Sequence, residues 1–223
     1  EHIFDIIQNL KNISALCKIG GKIIHSLPAN NNCGHGFWQF SPELFFNLDG
    51  THLRSDPMKG TAKRGLTLKE DIKNHKWLIA SEKNRAENLM ITDMVRNDIG
   101  RVAKPGSVRV SDLYRIEKFP TVWQAVSTVE GETDADITDI FRAMFPGASV
   151  TGAPKRASMD FIRRLEASPR EIYTGSIGFF GPDRKAQFNI AIRTTWIDKT
   201  KNTMEYGVGG GIVWDSEPDE ELA

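Results

Sequence analysis

The chain has 223 residues, with 29 lysines and arginines against 29 aspartates and glutamates, so its formal net charge is zero. At about 100–200 residues per domain, that length gives one large domain or two small ones with ample material for a core. The charge balance argues against a generic nucleic-acid or acidic-lipid surface, and 26% charged with 39% hydrophobic residues rules out a disordered chain. No apolar run approaches the roughly 18 residues that a membrane span needs. Two cysteines, Cys17 and Cys33, are too few for a disulfide scaffold and lack metal-ligand spacing. With no signal-peptide pattern at the start, the expected compartment is a reducing cytoplasm. Opening at Glu1 rather than methionine and stopping at Ala223 in an acidic stretch, the chain reads as a piece of something longer.

No repeat, low-complexity tract or linker divides the sequence. Residues 3–16 have helix-like spacing (Ile3, Ile6, Ile7, Leu10), and 37–48 are aromatic and aliphatic enough for a strand. Asp49-Gly50 is a hairpin signal ahead of a second strand at 51–55, and Asp56 to Thr61 reads as a turn. Thr67-Leu68-Lys69-Glu70 matches a capping box, in which hydroxyl and carboxylate satisfy each other's backbone donors. A long helix is expected over 81–102, ended by Lys104-Pro105-Gly106, then short strands at 107–119 and 122–129. A helix over 135–144 stops at Pro146-Gly147, and another runs from Pro154, a favoured first helical position, to residue 167. Three strands follow at 173–180, 186–197 and 203–213, and their short connections imply an antiparallel meander. The expected class is α+β.

Two glycine patterns resemble nucleotide loops but fail. Gly147 and Gly152 have phosphate-loop spacing, yet Ala153-Pro154-Lys155 follows where Lys-Ser/Thr is required. Gly207 to Ile212 begins like a dinucleotide fingerprint, but its sixth position is Ile212 and it sits at a strand end rather than opening a helix. The five histidines lie in the first third with no helical pair suited to a metal, and nothing nominates a Ser-His-Asp or Cys-His site.

Other residues carry possible chemistry. Glu87 shares a helical face with Met90, Ile91 and Met94. A carboxylate there is either in a salt bridge or a Mg²⁺ ligand, since hard cations take carboxylate oxygen. Lys59, between Pro57 and Gly60, is either a solvated loop lysine or a nucleophile held beside acceptors. Glu43, before Leu44-Phe45-Phe46, is a candidate for a raised pKa, and such an acid can protonate a leaving hydroxyl. Gly147 to Lys155 places backbone amides and a hydroxyl at a helix N-terminus, which suits a carboxylate or simply caps the helix. Arg193 projects beside small neighbours with room for bidentate carboxylate recognition. Gly209 and Gly211 either admit a ligand to the backbone or relieve crowding where strands bend. Together these residues outline a site for a small dianion.

The same segments resemble the chorismate-utilising enzymes, a family that includes anthranilate, aminodeoxychorismate, isochorismate and salicylate synthases. The matching stretches are Ser41-Pro42-Glu43, Pro57 to Thr61, Ser81 to Asn88, Arg96 to Gly100, Phe145 to Lys155, Tyr173 to Gly178, Ala191 to Thr194 and Gly209 to Val213. They occur in the family's order and cover nearly the whole chain as one catalytic domain, 1–223. The resemblance implies two large antiparallel sheets with helices packed outside them. It places Pro57-Met58-Lys59-Gly60-Thr61 closest to the P-I-K-G-T motif of aminodeoxychorismate synthase component I, where other members carry alanine for the lysine. Lys59 would then attack C2 of chorismate as the C4 hydroxyl leaves. Ammonia adds at C4 and expels the lysine, giving 4-amino-4-deoxychorismate on the way to para-aminobenzoate and folate.

Carried over, Glu43 resembles the general acid, and Glu87 and Glu221 resemble Mg²⁺ ligands. Thr151, Tyr173, Arg193, Gly209 and Gly211 match positions that hold the two carboxylates of chorismate. Gln124, expected to bind substrate with them, stands where many members have histidine, keeping a hydrogen-bond donor that cannot titrate. A glutamine amidotransferase subunit is the partner implied as the source of ammonia. The family's N-terminal strands fall before Glu1, and its last metal carboxylate falls after Ala223, so truncation at both ends is expected. The competing expectations are an anthranilate synthase component I, which Lys59 opposes, and an inactive chorismate-binding fragment.

Overall fold

The computed structural model describes residues 43–198 and 200–212. The helix expected at 3–16, the beginning of the strand expected at 37–48, the end of that expected at 203–213, and Glu221 lie outside the described residues.

Strand β1 (Leu44–Asp49) lies inside the main sheet, between β2 (His52–Asp56) and β7 (Lys185–Ile190). Its register shifts against both neighbours near Leu44. Such an irregularity breaks the strict in-out alternation, and the consecutive rings of Phe45 and Phe46 are both buried. Asp49 pairs with His52, so the turn is Gly50-Thr51, with Gly50 at φ +61°, one residue later than the Asp-Gly signal suggested.

Strands β2 and β3 (Met58–Lys63) follow one another along one edge of β5 (Val122–Glu132), and β4 (Arg109–Lys118) pairs with its other edge. The turn expected at 56–61 is therefore mostly strand. The eleven-residue β5 offers partners to both segments, and Pro57, which has no N–H, merely separates them. Strand β6 (Ser176–Gly181) forms an antiparallel hairpin with β7 and completes seven strands, all paired antiparallel.

The strand expected over 186–197 is two strands. After β7 the chain breaks at Arg193, whose φ of +52° turns it out of the extended conformation, and β8 (Thr195–Asp198) pairs instead with β9 (Thr203–Tyr206) in a separate ribbon. Of the two large sheets that the resemblance implies, the described residues contain this seven-stranded one and the two-stranded ribbon.

Helices α1 (Leu68–Ala80) and α2 (Glu82–Gly100) follow β3, and α2 packs across β3, β4 and β5. Thr67 caps α1 by accepting from Glu70 N, while the Glu70 carboxylate reaches past the cap to Leu66 N. Helix α3 (Ile137–Met144), the single turn α4 (Ala148–Thr151) and α5 (Lys155–Leu165) follow β5, with Pro154 as the N-cap of α5 rather than its first helical residue. The core lies between α2, α3 and the sheet. Phe46, Phe141 and Phe188 meet there at ring-centroid distances of 4.8–5.2 Å, each worth about 1.5–3 kcal/mol on full burial. Among the described residues no helix is long and apolar enough to cross a membrane.

Candidate active site

Lys59 sits on an irregularity in β3. Met58 pairs with Val126 and Thr61 with Gln124, so β3 spends three steps where β5 spends two, leaving one extra residue at Lys59-Gly60. Gly60 has φ +103°, and a Cβ there would lie 3.2 Å from the Asn84 Cβ and 3.3 Å from the Ala125 Cβ. Only glycine supplies that turn with the helix so close. Both carbonyls in the irregularity find side-chain donors: Asn88 Nδ2 donates to Lys59 O at 3.2 Å and Gln124 Nε2 to Gly60 O at 2.9 Å.

Glu43 stands just ahead of β1 and is 6% exposed. Burial pushes its carboxyl above the ordinary value. The Ser149 hydroxyl, the Lys59 ammonium, the Met58 backbone amide and the Arg193 guanidinium pull in the opposite direction and do not cancel it. Ser149 Oγ is buried and otherwise without a hydrogen bond. A cavity of about 10 Å³, roughly the room of one water, is lined by Glu43, Ser55, Asp98 and Ser149 among others. A carboxyl raised by burial thus lies in the field of the Lys59 and Arg193 side chains.

The remaining expected residues approach from the C-terminal segments. A Cβ on Gly211 would stand 3.8 Å from Lys59 Nζ, and one on Gly209 would stand 2.8 Å from the Tyr173 hydroxyl. The run Gly207–Gly211 therefore passes over Tyr173 and reaches the lysine, as a close backbone approach requires. Arg193 is exposed at the break after β7. Thr151 Oγ1 donates to Gly147 O at 2.9 Å, which commits its proton within α4. Gln124 also has both ends of its amide engaged, since Thr61 Oγ1 donates to its Oε1 at 2.9 Å.

Glu87 lies on α2 and is partly buried. The face of α2 that packs on the sheet carries Asn88, Ile91, Thr92, Val95 and Ile99, and Met90 is 43% exposed, so Glu87 flanks that face instead of sharing it with Met90. The helix is rotated because Asn84 and Asn88 turn toward Gly60 and Lys59. Among the described residues Glu87 makes no ion pair, which leaves the salt-bridge reading without a partner there. No cluster of three or more His, Cys, Asp or Glu able to hold a metal occurs among the described residues. A half-buried carboxylate free of a cation still suits Mg²⁺, which is commonly held by one or two carboxylates plus substrate oxygens and water.

Residue-by-residue reading missed three supports. Asn88 is 1% exposed and ties Lys59 to α2. Ser149 faces the acid, and Lys155 Nζ donates to Asp98 and to Met144 O, fastening the segment that carries Ser149. The available signal was the polar stripe Asn84, Asn88, Thr92 at spacing four on the face of a helix that must pack.

A family model described as chorismate binding enzyme matches residues 30–223. Over 183 residues the chain is 45% identical to the aminodeoxychorismate synthase component 1 of Bacillus subtilis, covering 81% of this chain and 38% of that protein. It is 44% identical over 183 residues to an anthranilate synthase component 1 of Haloarcula marismortui, covering 81% of this chain and 37% of that one. The crystal structure of anthranilate synthase component I from Streptococcus pneumoniae matches with a TM-score of 0.69 at 30% identity, covering 81% of this chain and 40% of that one. The chain spans less than half the length of these relatives.

Proposed function

From the chain's membership of the chorismate binding enzyme family, we propose that it serves an aminodeoxychorismate synthase component I, making 4-amino-4-deoxychorismate from chorismate and ammonia. Relatives of that name and relatives named anthranilate synthase match almost equally well, at 45% and 44% identity, so identity alone does not choose between them. The observation that carries the choice is Lys59, held on the β3 irregularity in the field of the buried acid Glu43.

In this reading the Lys59 nitrogen bonds to C2 of chorismate as the C4–O bond breaks. Glu43 gives its proton to the departing hydroxyl, which leaves as water, and the proton released by the lysine nitrogen passes to solvent. Burial raises the carboxyl toward the protonated form that a general acid needs, and Lys59 and Arg193 nearby offset the charge it takes on when the proton leaves. Ammonia then bonds to C4 while the C2–N bond breaks, and a proton lost by the incoming nitrogen is made up on the departing lysine nitrogen, which regenerates the amine. Arg193, Tyr173 and the Gly209–Gly211 backbone are the chain's means of orienting the two carboxylates. Glu87, with Glu221 from outside the described residues, would hold Mg²⁺, which when bound neutralises a substrate carboxylate. A glutamine amidotransferase partner is the proposed source of ammonia, consistent with relatives named as component 1.

The test is incubation with chorismate, Mg²⁺ and ammonium, with products identified by mass. The expected product is 4-amino-4-deoxychorismate; anthranilate with pyruvate as the main product would establish the competing reading, and chorismate bound without turnover would establish a binding fragment. Without ammonium, intact-protein mass should reveal a covalent adduct that disappears in Lys59→Ala. An adduct that persists in that variant would remove Lys59 from the attacking role.

A further inference from the structure

An extra residue in a strand normally strands backbone polar groups, because the partner strand no longer faces them. Here the two carbonyls at the irregularity, Lys59 O and Gly60 O, are each taken up by a side-chain amide. Those amides come from different elements, Asn88 from α2 and Gln124 from β5.

Neither amide is free to turn away. Asn88 is 1% exposed, its Nδ2 also reaches Ala125 O at 3.4 Å, and its Oδ1 accepts from the fully buried Ser127 hydroxyl. Gln124 is 8% exposed and its Oε1 accepts from Thr61 Oγ1, so the same side chain grips β3 on both sides of the Gly60–Thr61 peptide. Each amide is thus orientation-locked by a hydroxyl, with its N–H end directed at the lysine segment.

We propose that Asn88 and Gln124 are positioning residues that clamp the carbonyls of Lys59 and Gly60 and so aim the Lys59 amine at its target. For Gln124 this is a role that needs no contact with substrate, since one N–H and one lone pair of its amide are spent within β3. The inference rests on Lys59 acting as the nucleophile. A reacting atom displaced by about 1 Å can cost on the order of 10²-fold in rate with little change in binding, and that separates aiming from contact.

The experiment measures the initial rate of lysine adduct formation against chorismate concentration, by intact-protein mass without ammonium, for the full chain and for Gln124→Leu and Asn88→Ala. Folding of each variant is checked by thermal melting. The expected result is a limiting rate at least about tenfold lower in each variant, with the half-saturating chorismate concentration within about twofold of the parent. Gln124→Leu keeps the volume and leaves the packing under α2 intact, so the test stands on it if Asn88→Ala does not fold. A folded variant with an unchanged limiting rate overturns the proposal. So does a raised half-saturating concentration with the limiting rate preserved, which would make Gln124 a substrate contact. If the parent chain itself forms no adduct, the failure belongs to the nucleophile reading and not to the clamp.

Discussion

Glu43 illustrates how one residue serves chemistry at a cost to the fold. Its carboxyl is raised mainly by burial, so between the ordinary carboxylate value and the raised one the folded chain holds a proton that the unfolded chain has released. This group's contribution to stability is therefore complete at acid pH and is lost as pH rises through the folded value. Glu43→Gln removes that pH dependence. The melting temperature of the variant relative to the parent should become more favourable from about pH 4 toward neutrality, read from melting curves across pH. A pH-independent difference would show that the carboxyl is not raised. The same variant should form the lysine adduct about 10²-fold or more slowly, the usual scale for a general acid.

At the scale of elements, the decisive feature is the irregular β3. The sequence Pro57-Met58-Lys59-Gly60-Thr61 marks the segment as locally special but reads as a turn, because proline and glycine signal turns wherever they occur. The strand forms because β5 supplies a continuous partner edge, a fact that lies more than sixty residues away. Gly60→Ala should destabilise the fold by about 1–3 kcal/mol, since it forces a side chain into left-handed backbone, here at φ +103° with Asn84 and Ala125 within 3.3 Å. The midpoint of denaturant unfolding measures it, and a loss below a few tenths of a kcal/mol would mean that the backbone there is readily rearranged. The long helix, by contrast, was legible almost to the residue: 81–102 expected, Glu82–Gly100 observed. Its Ser81 cap and its stop before Lys104-Pro105-Gly106 are local devices. The rotation of that helix was not legible, because Asn88 is inward by virtue of the carbonyls it meets and Asn84 packs against Gly60.

Across the whole molecule, Lys155 joins segments that the sequence keeps apart. From the start of α5 its ammonium bonds Asp98 near the end of α2 and Met144 O at the end of α3. Asp98 is raised by burial, and the lysine opposes that shift. Lys155→Met should leave a carboxyl unpaired at 8% side-chain exposure, with a loss of about 3–5 kcal/mol by chemical denaturation. Adding Asp98→Leu should recover most of it, because an apolar pair carries no desolvation debt; no recovery would place the lysine's contribution in its bond to Met144 instead.

By itself the sequence determined the balanced charge, the mixed α+β class, the capped helices and the set of family motifs, because composition, period and spacing are local properties of the chain. Only the tertiary structure decided that Lys59 rides on an irregular strand, that Glu43 is buried beside it, and that the segment 186–197 breaks at Arg193 into two sheets. It alone carried Gly211 to the lysine. Those outcomes depend on which distant edge pairs with which strand and which surface covers which carboxyl, and no local pattern encodes a partner that the chain meets only on folding.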